Sequence, residues 1–118
     1  MIHADTIYAL SSGGGRAGVA VIRVSGSAAH ASLLMLTRRD LPAVRELVRV
    51  DLLDEQSELI DEAMAVQFSG PMSFTGEDVV EVHCHGSPAV VRAVLGRLGA
   101  LPGLRPAEAG EFTHRAFL

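Results

Sequence analysis

The stretch richest in chemistry is Val79 to His85, where Glu81, His83 and His85 alternate with apolar residues. If it is a β-strand, alternate side chains share a face. Val80, Val82 and Cys84 then point one way, into a core, and Val79, Glu81, His83 and His85 the other. A carboxylate and two imidazoles on one sheet face can bind a polar ligand; the plainer reading is a solvated outer face. Val19 to Ser25 repeats the pattern, with Ala20, Ile22 and Val24 on one face and Val19, Val21 and Arg23 on the other. An arginine in so apolar a strand needs an anionic partner or a route to water. If the two strands are neighbours, Arg23 and Glu81 meet as a fork of donors beside a pair of acceptors.

Such a pair complements a pterin ring, whose amino group and ring N–H suit a carboxylate and whose carbonyl suits a donor. An ordinary cross-sheet salt bridge is the competing reading. Other chemistries are weaker. The loop Gly13-Gly14-Gly15-Arg16 leads into a strand, whereas phosphate loops lead into a helix N-terminus. It reads as a flexible turn or a close backbone approach to a ligand. His83-Cys84-His85 resembles a metal cluster on paper, but alternation turns Cys84 away from both histidines and the sequence has no other cysteine to pair with it. Ser73 or Ser87 with a histidine and an aspartate would make a triad, yet no Gly-x-Ser-x-Gly elbow is present. All ten basic residues are arginine, and without lysine there is neither a Walker A loop nor a Schiff-base amine. The net charge of -4 argues against a surface built for nucleic-acid phosphates.

These residues must be positioned by a single core, since 118 residues suffice for one domain and not two. The spacing predicts strands over Thr6 to Leu10 and Val19 to Ser25, then a helix capped by Ser27 and running to about Leu36. A hairpin of Glu46 to Leu53 with Ala63 to Phe68 follows, turning on the acidic run Asp54 to Glu58. An irregular segment, Ser69 to Gly76, precedes the strand Val79 to His85. Ser87-Pro88 opens a second helix, with Val90, Val91, Val94, Leu95 and Leu98 as its apolar stripe, Arg92 and Arg97 outside it, and Gly99 as its stop. The expected fold is α+β: a mixed sheet of four or five strands with two main helices on one face. Met1 to Leu10 lacks the basic start of a signal peptide, no apolar run reaches a membrane span, and the lone Cys84 fits a reducing cytoplasm. The apolar residues at Ala116 to Leu118 suggest a chain cut short.

Several strings appear in order: Asp5-Thr6-Ile7, Gly15-Arg16-Ala17-Gly18-Val19, Ile22-Arg23-Val24-Ser25-Gly26, Gly70 to Asp78 around Phe74-Thr75-Gly76-Glu77, His85-Gly86, and Gly110 to Leu118. Together they resemble the N-terminal domain of the MnmE (TrmE) family of tRNA modification GTPases, over nearly the whole chain. The resemblance implies a fold similar to the folate-binding part of aminomethyltransferases, a homodimer, and a bound 5-formyl- or methylene-tetrahydrofolate. It places the folate contacts on Arg23 and Glu81, with Phe74, Thr75, Gly76 and Glu77 lining the pocket. It also implies a helical domain and a G domain outside this piece, the latter using GTP, magnesium and potassium. An FAD-containing partner, MnmG (GidA), acts with that family on C5 of the tRNA wobble uridine. The alternatives are a structural dimerisation module without ligand, or part of a folate-dependent aminomethyltransferase. This chain departs from the family at Ser12-Gly13-Gly14, where a proline pair is usual, and at His83-Cys84-His85-Gly86-Ser87, where Gln-Gly-His-Gly-Gly is common. The family motif continues beyond Leu118 to a folate-contacting lysine, so this piece is expected to bind folate more weakly.

Overall fold

The computed structural model describes residues 5–11 and 18–117. The Gly13-Gly14-Gly15-Arg16 loop lies outside them. Strands β1 (Thr6–Leu10) and β2 (Val19–Ser25) are followed by helix α1 (Ala29–Thr37), strands β3 (Val48–Leu53), β4 (Leu59–Phe68) and β5 (Val79–His85) by helix α2 (Pro88–Gly99), and strand β6 (Leu104–Pro106) by helix α3 (Glu111–Ala116). The strands form one sheet in the order β3-β4-β5-β2-β1-β6. Every pairing is antiparallel except β1 with β6. The architecture is α+β with a mixed sheet, as the strand and helix patterns predict. Among the described residues it has six strands rather than four or five and a third, short helix.

Alternation sorts the sheet into a covered and an open face. Ile22 pairs with Val82, which pairs with Ala65, so these three share a face. They are buried with Ala20, Val24, Val80 and Cys84. Leu33 and Leu36 of α1 and Val94 and Leu98 of α2 complete that core, so both long helices lie on the same side. The polar residues of α1 that face inward satisfy themselves: Ser32 donates to Ala29 O at 2.6 Å and Thr37 to Leu33 O at 3.0 Å.

Local departures from the sequence reading have identifiable causes. Ser27 does not cap α1. The N-cap position is Ala28, and its backbone N–H donates to the Thr6 hydroxyl at 2.9 Å, so a residue of β1 performs the capping. Gly26, at φ +139°, permits that approach, since a Cβ there would stand 2.5 Å from Thr6 Oγ1 and 2.7 Å from Thr6 Cα. Strand β3 begins at Val48 because the chain turns over Ala43 to Glu46, with Glu46 N–H on Ala43 O at 3.2 Å. Gly99 closes α2 as its last residue rather than as a left-handed cap. Its lack of a side chain accommodates Tyr8, whose hydroxyl would be 2.6 Å from a Cβ. Arg92 is exposed as expected, but Arg97 is buried and reaches Met35 O at the C-terminal end of α1. Among the described residues no helix is long and apolar enough to cross a membrane.

Candidate functional site

The open face holds the chemistry. Arg23 and Glu81 occupy directly opposed register positions on β2 and β5. Arg23 Nε and Nη2 both donate to Glu81 Oε2, at 3.1 and 2.8 Å. The other carboxylate oxygen, Oε1, stands 3.2 Å from His83 Nε2, two residues along the same strand. Burial pushes the Glu81 carboxyl up, but the hydrogen bonds from Arg23 and then His83 outweigh it and hold the group below the ordinary carboxylate value. Glu81 is therefore an anion in a partly buried place, with one acceptor position on Oε1 left for a ligand. The Arg23 guanidinium lies over two rings, 4.9 Å from the centroid of Phe74 and 5.8 Å from that of Phe112 on α3. Such cation–π contacts hold the planar fork in one orientation.

Beside this pair is a cleft of about 480 Å3. Phe68 and Val79, a cross-strand pair on the open face, form its floor. Pro71, Met72, Ser73 and Phe74 form a wall, Glu81 contributes a carboxylate, and Arg45 the opposite charge. Met72 and Phe74 expose 68% and 52% of their surface, an apolar cost that a bound planar molecule would relieve. The wall is shaped by its own hydrogen bonds: the Ser73 hydroxyl donates to Glu77 O, and Glu77 N–H reaches Thr75 Oγ1 at 3.3 Å.

A second polar cluster ties α3 to the sheet. The Arg115 side chain is 2% exposed and sits among three carboxylates. It donates to Glu77 Oε1 at 3.0 Å, Asp5 Oδ1 at 2.9 Å and Glu111 Oε2 at 3.3 Å. Arg105 on β6 is bidentate to Glu111, at 2.8 and 2.5 Å, and also pairs with Asp5. The Arg105 hydrogen bonds draw the Glu111 carboxyl down to about 2, and the same guanidinium lowers Asp5. The cluster seats Phe112 against Arg23.

Residues 6–118 match the family described as GTP-binding protein TrmE N-terminus. This chain belongs to that family. It is 59% identical over 114 residues to the human mitochondrial 5-taurinomethyluridine-[tRNA] synthase subunit GTPB3, covering 95% of this chain and 23% of that protein. Against the tRNA modification GTPase MnmE of Agrobacterium fabrum it is 53% identical, covering 97% of this chain and 26% of the relative. The MnmE of Rhodospirillum rubrum is 50% identical, with 97% and 28% covered. The chain thus spans about a quarter of the length of the curated relatives it matches.

Of the site residues read from sequence, this TrmE N-terminal domain brings Arg23, Glu81 and Phe74 together. The next three residues turn away from the cleft. Thr75 is buried, its hydroxyl 2.6 Å from that of Ser25. Gly76, at φ +81°, makes the turn, and Glu77 accepts from Ser25 at 2.9 Å and from Arg115. They build the wall and anchor it rather than facing the space. His83 and His85 share the open strand face, and Cys84 is buried in the core with its thiol toward Ala20 O at 3.7 Å. Burial raises that thiol's pKa further from the thiolate form. His85 is held by Asp61, 2.8 Å from its Nδ1. Sequence reasoning missed Phe68, Met72 and Arg45 as lining residues and Phe112 as the second ring on Arg23. Phe68 was within reach, as strand alternation along Ala63 to Phe68 places it with Val66. Arg45 and Phe112 carried no periodic signal.

Proposed function

We propose that this chain binds a tetrahydrofolate one-carbon donor and forms the dimerising N-terminal part of a GTPase that modifies the wobble uridine of tRNA at C5. The observation that carries the folate reading is the meeting of Arg23 and Glu81 on the open face, beside a cleft walled by Phe74. The residues fit such a ligand. The volume is in the range of small-molecule sites, Phe74 and Phe68 suit a planar ring, and Glu81 is an anion ready to accept from an amino group and ring N–H. Two such donors would use the free position on Oε1 and one that Arg23 or His83 now fills, so one protein contact shifts on binding. Arg23 keeps donors beyond the two it gives Glu81, and these suit the ring carbonyl. The bound folate would supply the one-carbon unit, and the chain's own task is to hold and orient it.

The wider assignment rests on the family and on the relatives' names. Bacterial relatives are called tRNA modification GTPases, and the mitochondrial ones are subunits of a tRNA-modifying synthase. For this protein, GTP with magnesium and potassium in a G domain, an FAD-containing MnmG partner, a homodimer and a cytoplasmic location are parts of the same proposal. Titration calorimetry with 5-formyltetrahydrofolate tests the folate reading directly. Wild type is expected to bind and Glu81→Ala to lose measurable binding, with circular dichroism showing the fold retained. Equal affinity for both proteins would sink it. A purely structural dimerisation module would bind no folate in either form.

A further inference from the structure

The cleft has a second charged end that the Arg23–Glu81 pair does not use. Arg45 lines it together with Phe68, Phe74 and Glu81. Its backbone N–H donates to Gln67 O at 2.7 Å, on the β3 side of β4, whereas Glu81 lies on β5. Two strand spacings separate the backbones of Arg45 and Glu81, roughly 10 Å. Unlike the other arginines of this face, the guanidinium of Arg45 has no carboxylate partner among the described residues: Arg23 has Glu81, Arg49 has Glu62, Arg105 has Asp5 and Glu111. Arg45 also adopts φ +68°, a conformation that side-chain-bearing residues rarely take. A cation is thus held at a set place on the rim in a backbone conformation that glycine would occupy more easily.

From this we infer that Arg45 receives the carboxylate tail of the ligand whose ring edge is held by Glu81. The inference rests on the folate reading and extends it to the other half of the molecule. The cleft presents an acceptor at one end, apolar and aromatic side chains between, and a fork of donors at the other. Its complement is a molecule with a donor-bearing planar head, an aromatic middle and an anionic tail, which describes a folate with its glutamyl group. A guanidinium takes a carboxylate in two parallel hydrogen bonds. Because Arg45 is exposed, the contact is a modest one, weakened by salt.

The test pairs two ligands with three proteins. 5-Formyltetrahydrofolate and 5-formyltetrahydropteroate, which lacks the glutamate, are titrated into wild type, Arg45→Ala and Arg45→Gly. Wild type is expected to bind the glutamate-bearing ligand about three- to tenfold more tightly, a difference that shrinks with added salt. Both variants should bind the two ligands equally, at the wild-type affinity for the pteroate. The glycine variant relieves the backbone at φ +68°, so its melting temperature should not fall, which separates lost recognition from lost structure. A wild-type protein that does not distinguish the ligands, or variants that weaken both alike, would overturn the role of Arg45 while leaving the folate reading standing. Binding of neither ligand to wild type would overturn both.

Discussion

At the scale of single residues, the open face works because each ionisable group has a defined neighbour. Glu81 stays charged although partly buried, because Arg23 gives it two hydrogen bonds and His83 one more. Replacing Arg23 by Gln should therefore raise the Glu81 carboxyl toward the ordinary glutamate value, readable by NMR titration of that carboxyl; no change would mean that the pair is not coupled. Arg23→Lys is not conservative here, since a point charge cannot keep both donors on Oε2 and still face the rings of Phe74 and Phe112. Gly26 is the least replaceable residue of β2's end. Gly26→Ala would drive a Cβ into Thr6 at a φ unsuited to alanine, disturbing the hydroxyl that caps α1. A loss of about 2 kcal/mol or more in chemical denaturation is expected.

At the scale of elements, α1 and α2 hold the covered face and α3 holds the open one. The first two do so by apolar packing. Leu33 and Leu36 are fully buried, and Leu33→Ala should cost about 2–5 kcal/mol in denaturant unfolding. Helix α3 is six residues long and relies on charge instead. Arg115 joins it to Glu77 at the root of the cleft wall and to Asp5 before β1. Removing it leaves the half-buried Glu77 carboxylate without its cation, whereas Asp5 and Glu111 keep Arg105, so Arg115→Ala is expected to cost about 1–3 kcal/mol. It should also loosen Phe112 from Arg23, and hydrogen exchange of residues 111–117 and 73–77 should accelerate together. Exchange rising in one segment alone would disprove their coupling.

For the whole molecule, acid should be the condition that dismantles this arrangement. The carboxyls of Glu111, Asp5 and Glu81 all have folded-state values below their ordinary ones. A depressed carboxyl contributes stability that is fully present above its unfolded value and is lost as pH falls toward its folded value. For Glu111 that window runs from 4.5 down to about 2. The melting temperature should be flat through neutral pH and decline below about pH 5, and Glu111→Gln should flatten the decline. An undiminished decline in that variant would assign acid sensitivity to other groups.

How much of this was legible in the sequence divides by the range of the forces involved. Period-two alternation made Arg23 and Glu81 share the polar sides of their strands, and made Val80, Val82 and Cys84 core. That is a local consequence of backbone geometry, as are the Pro88 start of α2 and the strand limits of β1, β2 and β5. The family strings likewise singled out Phe74 and the segment after it. Neighbourhood across the sheet was not local. That β5 pairs with β2, that Thr6 rather than Ser27 caps α1, that Arg97 is buried, and that Arg115 binds Glu77 depend on residues tens of positions apart meeting in space. Strand pairing has no signature within a single strand, because every strand offers the same backbone donors and acceptors. The tertiary structure alone decided that Thr75 and Glu77 brace the wall while Phe68 and Arg45 face the cleft, since a side chain's surroundings are set by packing and not by its own sequence neighbours.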